Sequence, residues 1–373
     1  MNLNTVTSIE EIKKFCTANF IDESPFIDFD FFKKLETTKC TTLETGWIPE
    51  HIIIKEKSKL KGIIPNYRKL NSNGEYVFDH IFANAYNQLG IKYFPKFLSA
   101  IPFTPVNRNK FYYGSEEFDL EVLSKSIIDL LLKKKIPSFH INFLEKNISN
   151  KLKKYNFIQR LGIQYYWYNN SYKSFECFLS SLKRKKRKNI IKEREFLKNQ
   201  KISFVIKESD QITFEDIDYF YKCYSNTINK KWSIHYLNNL FFRELLKSDC
   251  KKKIIIIQAF EKSKFVGCSL HFKSINTLYG RYWGALKHIP FLHFELCYYQ
   301  AIEFAIKNKL RKVEAGAQGE HKISRGYLPE LTYSNHWFDN PKLKNAISEY
   351  MIDEGKKIFE TIDFLKTYSP FKS

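Results

Sequence analysis

The chain of 373 residues is 43% hydrophobic and 27% charged, which fits a folded protein with room for two domains and excludes a disordered or fibrous one. Its seven cysteines are scattered without a Cys-x-x-Cys pair, which excludes a zinc finger and a disulfide framework and points to reduced thiols. Net charge is +21, but 51 of the 61 basic residues are lysine and arrive with abundant Ile, Asn, Phe and Tyr, so a local cluster says more about partners than the total.

The opening segment MNLNTVTSIEEIKKFC has no apolar signal core, and no apolar run approaches the ~20 residues that span a bilayer. A cytoplasmic protein without a transmembrane segment is expected. His51–Tyr67 reads as strand, polar turn and strand, with a third strand at Glu75–Asp79. An aromatic, Pro-containing insertion at about 80–110 follows, then an amphipathic helix at Leu120–Lys134 and strands at Ser138–Phe143 and Phe157–Tyr168.

Next comes a basic segment in which Lys183–Arg194 carries eight basic residues against one acid, Glu193. Phe175, Phe178, Leu182, Ile190 and Leu197 recur at helical spacing, so the spacing predicts a helix over 174–199 with one basic face. Such a face is either simply solvated or a site for phosphates of a nucleotide carrier or RNA, with Arg184, Arg187, Lys188, Lys192 and Arg194 as the contacts. Beyond it lie a strand at Ile202–Ile206, helices at Phe214–Ile228 and Tyr236–Lys247, a strand–turn–strand at Lys253–Phe272 and a strand at Leu278–Ala285. A helix at Leu292–Lys307, a short strand at Lys312–Gly316 and a final strand containing His336-Trp337 complete the chain order.

The halves repeat one another. Glu56-Lys-Ser-Lys-Leu-Lys-Gly62 matches Glu261-Lys-Ser-Lys-Phe-Val-Gly267 at a spacing of 205 residues, and each sits in the same β-β-β-α-β order. The expected fold is α/β, with two tandem domains of mixed sheets flanked by helices. Their predicted extents are 1–170, with the insertion, and 171–373, opening with the basic helix.

This order is similar to that of the GNAT acyltransferase fold. IQYYWYNNSYKSFECFLSSLKRKKRKNIIKERE (Ile163–Glu195), ETGWIPEHIII (Glu44–Ile54), GEYVFDHIFANAY (Gly74–Tyr86), IPFTPV (Ile101–Val106), GRYWGA (Gly280–Ala285) and VEAGAQGEHKISRGYLPELTYSNHW (Val313–Trp337) resemble the bacterial FemAB-like family. Its members are labelled GNAT-type N-acetyltransferase or peptidoglycan biosynthesis/recognition protein, and the resemblance covers nearly the whole chain. It implies transfer of an acyl or aminoacyl group to an amine acceptor such as a cell-wall precursor. The implied donor is acyl-CoA or aminoacyl-tRNA. The alternatives are a muropeptide- or ligand-binding protein without catalysis on the same scaffold, and a tRNA- or RNA-binding module built on the basic helix.

Such a transfer needs an anchor for the donor, hydrogen-bond donors to the carbonyl oxygen, a base and an acceptor cleft. The GNAT anchor is a Gly-rich loop ahead of a helix. Here Ala285–Glu295 has no such pattern, and no glycine occurs between Gly284 and Gly316, which tells against a CoA loop. Glycines, Glu320-His321-Lys322 and Arg325-Gly-Tyr327 directly after a short strand make the leading site. His321 or Glu320 is the candidate base, and Lys322 or Arg325 the candidate for binding an anion or developing oxyanion. Glu320-His321-Lys322 resembles the E-Y-K stretch of Fem-type enzymes with Tyr replaced by His. Glu295, beside His293 at a helix start, is a further catalytic candidate or a first-turn acid favoured by the helix dipole. Arg281 and Trp283 share one face of their strand and, with Arg325, Tyr327, Asp79 and His80, are the substrate-binding candidates. No ligand spacing points to a metal.

Overall fold

The computed structural model describes residues 1–12, 24–57, 59–113, 118–230, 233–316 and 319–372, with Glu320 described by its backbone alone. Its strands are β1 (Asn2–Val6), β2 (Trp47–Pro49), β3 (His51–Glu56), β4 (Lys59–Ile64), β5 (Tyr67–Lys69), β6 (Lys96–Ser99), β7 (Tyr112–Tyr113) and β8 (Ser138–Leu144). They continue with β9 (Ile158–Tyr168), β10 (Ile202–Glu208), β11 (Ile254–Glu261), β12 (Lys264–Lys273), β13 (Thr277–Ala285), β14 (Lys312–Glu314) and β15 (Leu328–Phe338). The chain divides into two compact units. The first is formed chiefly by Phe26–Gly162 and Leu331–Glu360, the second by Ile163–Glu330 and Thr361–Ser373.

In the first unit β1-β3-β4-β7 make a small sheet, and β15-β8-β6-β5-β2 make a mixed one in which β6 runs parallel to β8. The helix Leu120–Lys133, capped by the Asp119 carboxylate, buries Leu123, Ile127, Leu130 and Leu131 in a core with Ile52, Ile54, Phe139 and Ile141. In the second unit the order is β10-β11-β12-β13-β14-β9, antiparallel except for β13 with β14. Segments Leu292–Phe294, a π turn at Glu295–Tyr299 and Gln300–Lys307 run on as one helix, burying Leu296, Tyr299, Ile302 and Ala305 in the core with Trp167, Ile255 and Val313.

The two hairpins matched in the sequence share their geometry. Glu56 pairs with Lys59 and Glu261 with Lys264 across the turns, and each hairpin has a register shift five residues before its turn-closing Lys, between Ile54 and Lys55 and between Ala259 and Phe260. Other expectations are corrected. Glu75–Asp79 is not a strand: Gly74 (φ 76°) and Tyr76 (φ 59°) adopt left-handed backbone, which an extended ladder cannot accept. The expected insertion supplies the helix His80–Gln88 and strand β6, which enters the sheet between β5 and β8. The basic helix is two, Phe175–Ser181 and Arg184–Asn199, because Leu182 is extended and bridges Phe371 while Lys183 N–H donates to Pro370 O at 2.8 Å.

A single boundary near residue 170 does not describe the units. Each predicted half supplies a strand that pairs in the other unit, β9 through Tyr166–Tyr168 with β14 and β15 through Tyr333–Phe338 with β8, and β15 is followed by the helix Pro341–Thr367. Apolar alternation marks a strand as buried without naming its sheet.

Two glycines on β13 differ in what they permit. A Cβ on Gly284 would lie 2.0 Å from the Cys223 carbonyl oxygen in the helix Phe214–Lys230, whereas one on Gly280 would meet nothing closer than 3.4 Å. Gly284→Ala is expected to lower stability by about 1–3 kcal/mol through forced backbone displacement, and Gly280→Ala by less than about 1 kcal/mol. Urea unfolding midpoints of the two variants would show the contrast.

Candidate active site

β13 and β14 pair only over Thr277–Tyr279 and Lys312–Glu314. Beyond that point β13 stays with β12 as far as Ala285, while Ala315 and Gly316 turn to Tyr165 on β9, the Ala315 N–H donating to Tyr165 O at 3.1 Å and the Tyr165 N–H to Gly316 O at 3.2 Å. The strands therefore fork at their C-terminal ends, where α/β proteins build crevices. The fork holds a cavity of about 480 Å³ lined by Arg281, Tyr282 and Trp283 of β13, His271 of β12, His293, Cys297 and Tyr298 of the long helix, and His321 and Lys322 of the short 3-10 turn Glu320–Arg325.

Four expected residues, Arg281, Trp283, His321 and Lys322, thus come together. Arg281 is the extra residue where the β12–β13 register shifts, so it has no ladder partner on β12. Tyr282 turns its ring to Phe220, Tyr224 and Phe242, and Trp283 packs on His293 at 4.4 Å between ring centroids, the opposite faces that alternation predicts. The Lys322 ammonium donates to the carbonyls of Ala315 (2.7 Å) and Gly316 (3.2 Å), two of its three N–H groups. Burial pushes its pKa down to about 8. His321 Nε2 meets Tyr298 Oη at 3.0 Å, and its imidazole is held below the usual histidine range by burial and then by the Arg325 and Lys322 charges. Burial raises the Tyr298 phenol, so it stays protonated. The side chain of Glu320 lies outside the described residues.

The other expected residues are placed elsewhere. Glu295 is buried in the π turn, accepts from Arg194 (Nε 3.1 Å, Nη2 3.0 Å) and Gln300 (2.8 Å), and is raised by burial against the pull of Arg194. Arg194 also bonds Glu303 at 2.9 Å and lies over the Phe175 ring at 4.6 Å. Arg325 donates to Tyr299 Oη (2.8 Å), His321 O (2.9 Å) and Glu193 (2.6 Å) and covers Phe294 at 3.5 Å, so it fixes the turn that carries His321. Tyr327 is fully buried, its Oη 3.4 Å from Tyr298 O. Arg184, Lys188 and Lys192 are exposed on their helix and Arg187 half-buried, none of them lining the cavity.

Asp79 and His80 belong to the first unit. Asp79 is buried, accepts from Tyr93 Oη at 2.6 Å and pairs with Lys96; burial opposes its charge, but Lys96 outweighs this and holds it low. Lys96 also reaches Glu75 at 2.8 Å. His80 is exposed beside Phe78. A larger cleft of about 920 Å³ in this unit is lined by Lys146, Lys153, Lys154, Lys344 and Lys356 around Met351 and Phe359, without histidine, cysteine or carboxylate among the described residues. Sequence reasoning missed His271, Cys297 and Tyr298. Only the alternation of Ser269, His271 and Lys273 along β12 carried a signal for the first. Among the described residues no group of three His, Cys, Asp or Glu side chains could hold a metal ion, and no helix is long and apolar enough to cross a membrane.

The α/β fold, with mixed sheets flanked by helices, is consistent with GNAT-like architecture. The chain belongs to the FemAB-like family, described as peptidoglycan biosynthesis/recognition, whose model it matches over residues 7–373. Acyl or aminoacyl transfer is the general activity of that superfamily. The fold is similar to that of the crystal structure of FemX (13% identity, 93% of this chain and 100% of that one, TM-score 0.52). It is also similar to L-PGS from Bacillus licheniformis (8%, 93% and 98%, TM-score 0.55) and to the C-terminal domain of a putative lysylphosphatidylglycerol synthetase from Agrobacterium fabrum (7%, 92% and 97%, TM-score 0.55). No curated protein matches the chain.

Two outcomes follow from the buried charges. Because the folded chain holds the Lys322 proton only up to about pH 8, whereas an unfolded lysine holds it to about 10.4, this group adds stability as pH rises through that window. In [15N]lysine-labelled protein a side-chain resonance that disappears in Lys322→Met is expected to titrate near 8, apart from that of Lys69, which burial lowers to about 7. Arg194→Ala strands the Glu295 carboxylate and is expected to cost about 3 kcal/mol, and Glu295→Gln in that background to recover most of it, read by chemical unfolding.

Proposed function

We propose that the forked cavity of the second unit is where an acyl or aminoacyl group is transferred to an amine. The observation that carries this reading is the convergence of Arg281, Lys322 and His321 at the strand ends, in a cavity walled by Trp283 and Tyr298. The amine nitrogen attacks the donor's carbonyl carbon, the C–N bond forms, and the bond to the carrier's oxygen or sulfur breaks. Negative charge on the carbonyl oxygen is met by Arg281 and by the remaining N–H of Lys322. His321, neutral at pH 7, accepts the amine proton and returns it to the leaving group.

The donor is an aminoacyl ester carried on tRNA. Support comes from the loop before the long helix, where Phe291, a non-glycine residue at φ 65°, stands at the helix start in place of a Gly-rich phosphate cradle. The exposed Arg184, Lys188 and Lys192 would meet the tRNA phosphates. The acceptor is the amine of a peptidoglycan precursor, a choice supported by the family's description. The matched hairpins support an origin of the two units by duplication.

Calorimetry at two salt concentrations with charged tRNA, uncharged tRNA and acetyl-CoA, followed by transfer of labelled amino acid to a muropeptide amine, tests this. Preference for charged tRNA, with affinity falling steeply with salt, is expected. Lys322→Met should lower kcat about a hundredfold with substrate binding retained. Binding of a muropeptide without any turnover would instead establish a recognition protein, and saturable acetyl-CoA binding would replace the donor.

A further inference from the structure

The floor of the same cavity contains a buried group that the transfer scheme leaves unused. His271 is 1% exposed, on β12 directly opposite Gly280. Its Nε2 lies 2.8 Å from Ser269 Oγ, and that hydroxyl donates to the carbonyl of Leu296 at 2.9 Å. A serine hydroxyl has one proton; placed on the bond to Leu296, it leaves the Ser269 oxygen an acceptor toward the ring. Nε2 must then carry the ring proton and donate to Ser269, and the lone pair falls on Nδ1.

Nδ1 has no hydrogen-bond partner among the described residues. An unmet buried acceptor costs about 1–3 kcal/mol, and this one belongs to a residue that lines the cavity. Gly280 faces this buried edge. The Cβ of any other residue there would sit 3.6 Å from Nδ1 and 3.9 Å from Cε1, in van der Waals contact with it, so glycine alone leaves it without a covering side chain. Burial lowers the imidazole to about 4, so it stays a neutral acceptor throughout the physiological range. The described lining offers cations, Arg281 and Lys322, and no carboxylate.

We propose that His271 Nδ1 is the built hydrogen-bond acceptor of this site, reserved for an N–H or O–H group of the bound substrate. The site therefore takes a molecule with a carbonyl or anionic group toward Arg281 and Lys322 and an uncharged amine or a hydroxyl at its deep end. This rests on the cavity being the substrate site of the transfer reading. It adds a selection rule: a fully alkylated amine is rejected, because it has no hydrogen to offer once uncharged. His271 is a positioning residue for the nucleophile, distinct from the proton acceptor His321.

The experiment follows the His271 ring nitrogens in [15N]histidine-labelled full-length protein, with L-alaninamide as probe. Measurements are made above pH 8, where an α-amine is largely uncharged (ordinary pKa about 8). The free protein should show the neutral Nε2–H form, unchanged from pH 9 down to about pH 5. L-Alaninamide should move the Nδ1 resonance, and N,N-dimethylalanine N,N-dimethylamide, which when uncharged carries no N–H at all, should not move it. Gly280→Ala, which keeps the imidazole and its Ser269 bond, should abolish the response; with L-alaninamide binding read by calorimetry instead, His271→Gln should lose the ligand and His271→Asn should retain part of it. An Nδ1–H tautomer, a protonated ring at pH 7, an Nδ1 resonance indifferent to L-alaninamide, or equal responses in wild type and Gly280→Ala would each overturn the assignment. The readout requires no turnover, so absence of transfer activity would count against the transfer reading alone.

Discussion

The second unit depends on how briefly two parallel strands hold together. Three residues of β13 pair with three of β14, and then each strand continues with a different neighbour. A parallel ladder that ran on would close the space now lined by Arg281, Trp283 and Lys322. The fork leaves the Ala315 carbonyl facing a gap, and Lys322 reaches back to it and adds a second bond to the Gly316 carbonyl, which already accepts from Tyr165. One side chain therefore both finishes the broken ladder and sets a cation at the strand ends. Partial desolvation follows from that position, which is why its charge is held less firmly than that of a surface lysine.

The basic segment looks uniform in sequence, yet its helix divides the labour. Its acid, Glu193, accepts from Tyr299 and Arg325, and Arg194 bonds Glu295 and Glu303. These pairs fasten the helix to the long helix and to the 3-10 turn of the site. Lys186 adds a bond to Ser324 of the same turn. Only the outward residues, Arg184, Lys188 and Lys192 among them, remain solvated. Anchoring costs the chain part of its apparent phosphate-binding charge and holds His321 against the cavity.

Much of this was legible beforehand, for reasons that residue pattern can express. The repeated Glu-Lys-Ser-Lys turn announced two hairpins, and they share register and bulge. Arg281, Trp283, His321 and Lys322 stood out as polar groups at strand ends, where few other roles exist for them. Glu295, Arg325 and Asp79 stood out equally and went into buried pairs, because residue type and position do not say which opposite charge lies across the core. Gly74 and Tyr76 hid the end of a strand in an extended-looking run. The exchange of β9 and β15 was invisible, since each strand carries toward its end a continuous buried run that either sheet would accept.

His271 shows what sequence can never display: the absence of a partner. A histidine among strand hydrophobics reads as core, and in the first unit that reading is right, for His140 and His336 meet at 2.7 Å inside a packed aromatic cluster, where His336 Nε2 also lacks a partner among the described residues but lines no cavity described above. The difference at His271 lies in the residue opposite. Against a side chain it would be another interior imidazole; against Gly280 its buried Nδ1 edge is covered by no Cβ on the facing strand. The same glycine that weakens a strand by lacking a side chain leaves a buried acceptor uncovered. The chemistry of the floor is set by a pair of residues facing each other across a ladder, and neither one carries it alone.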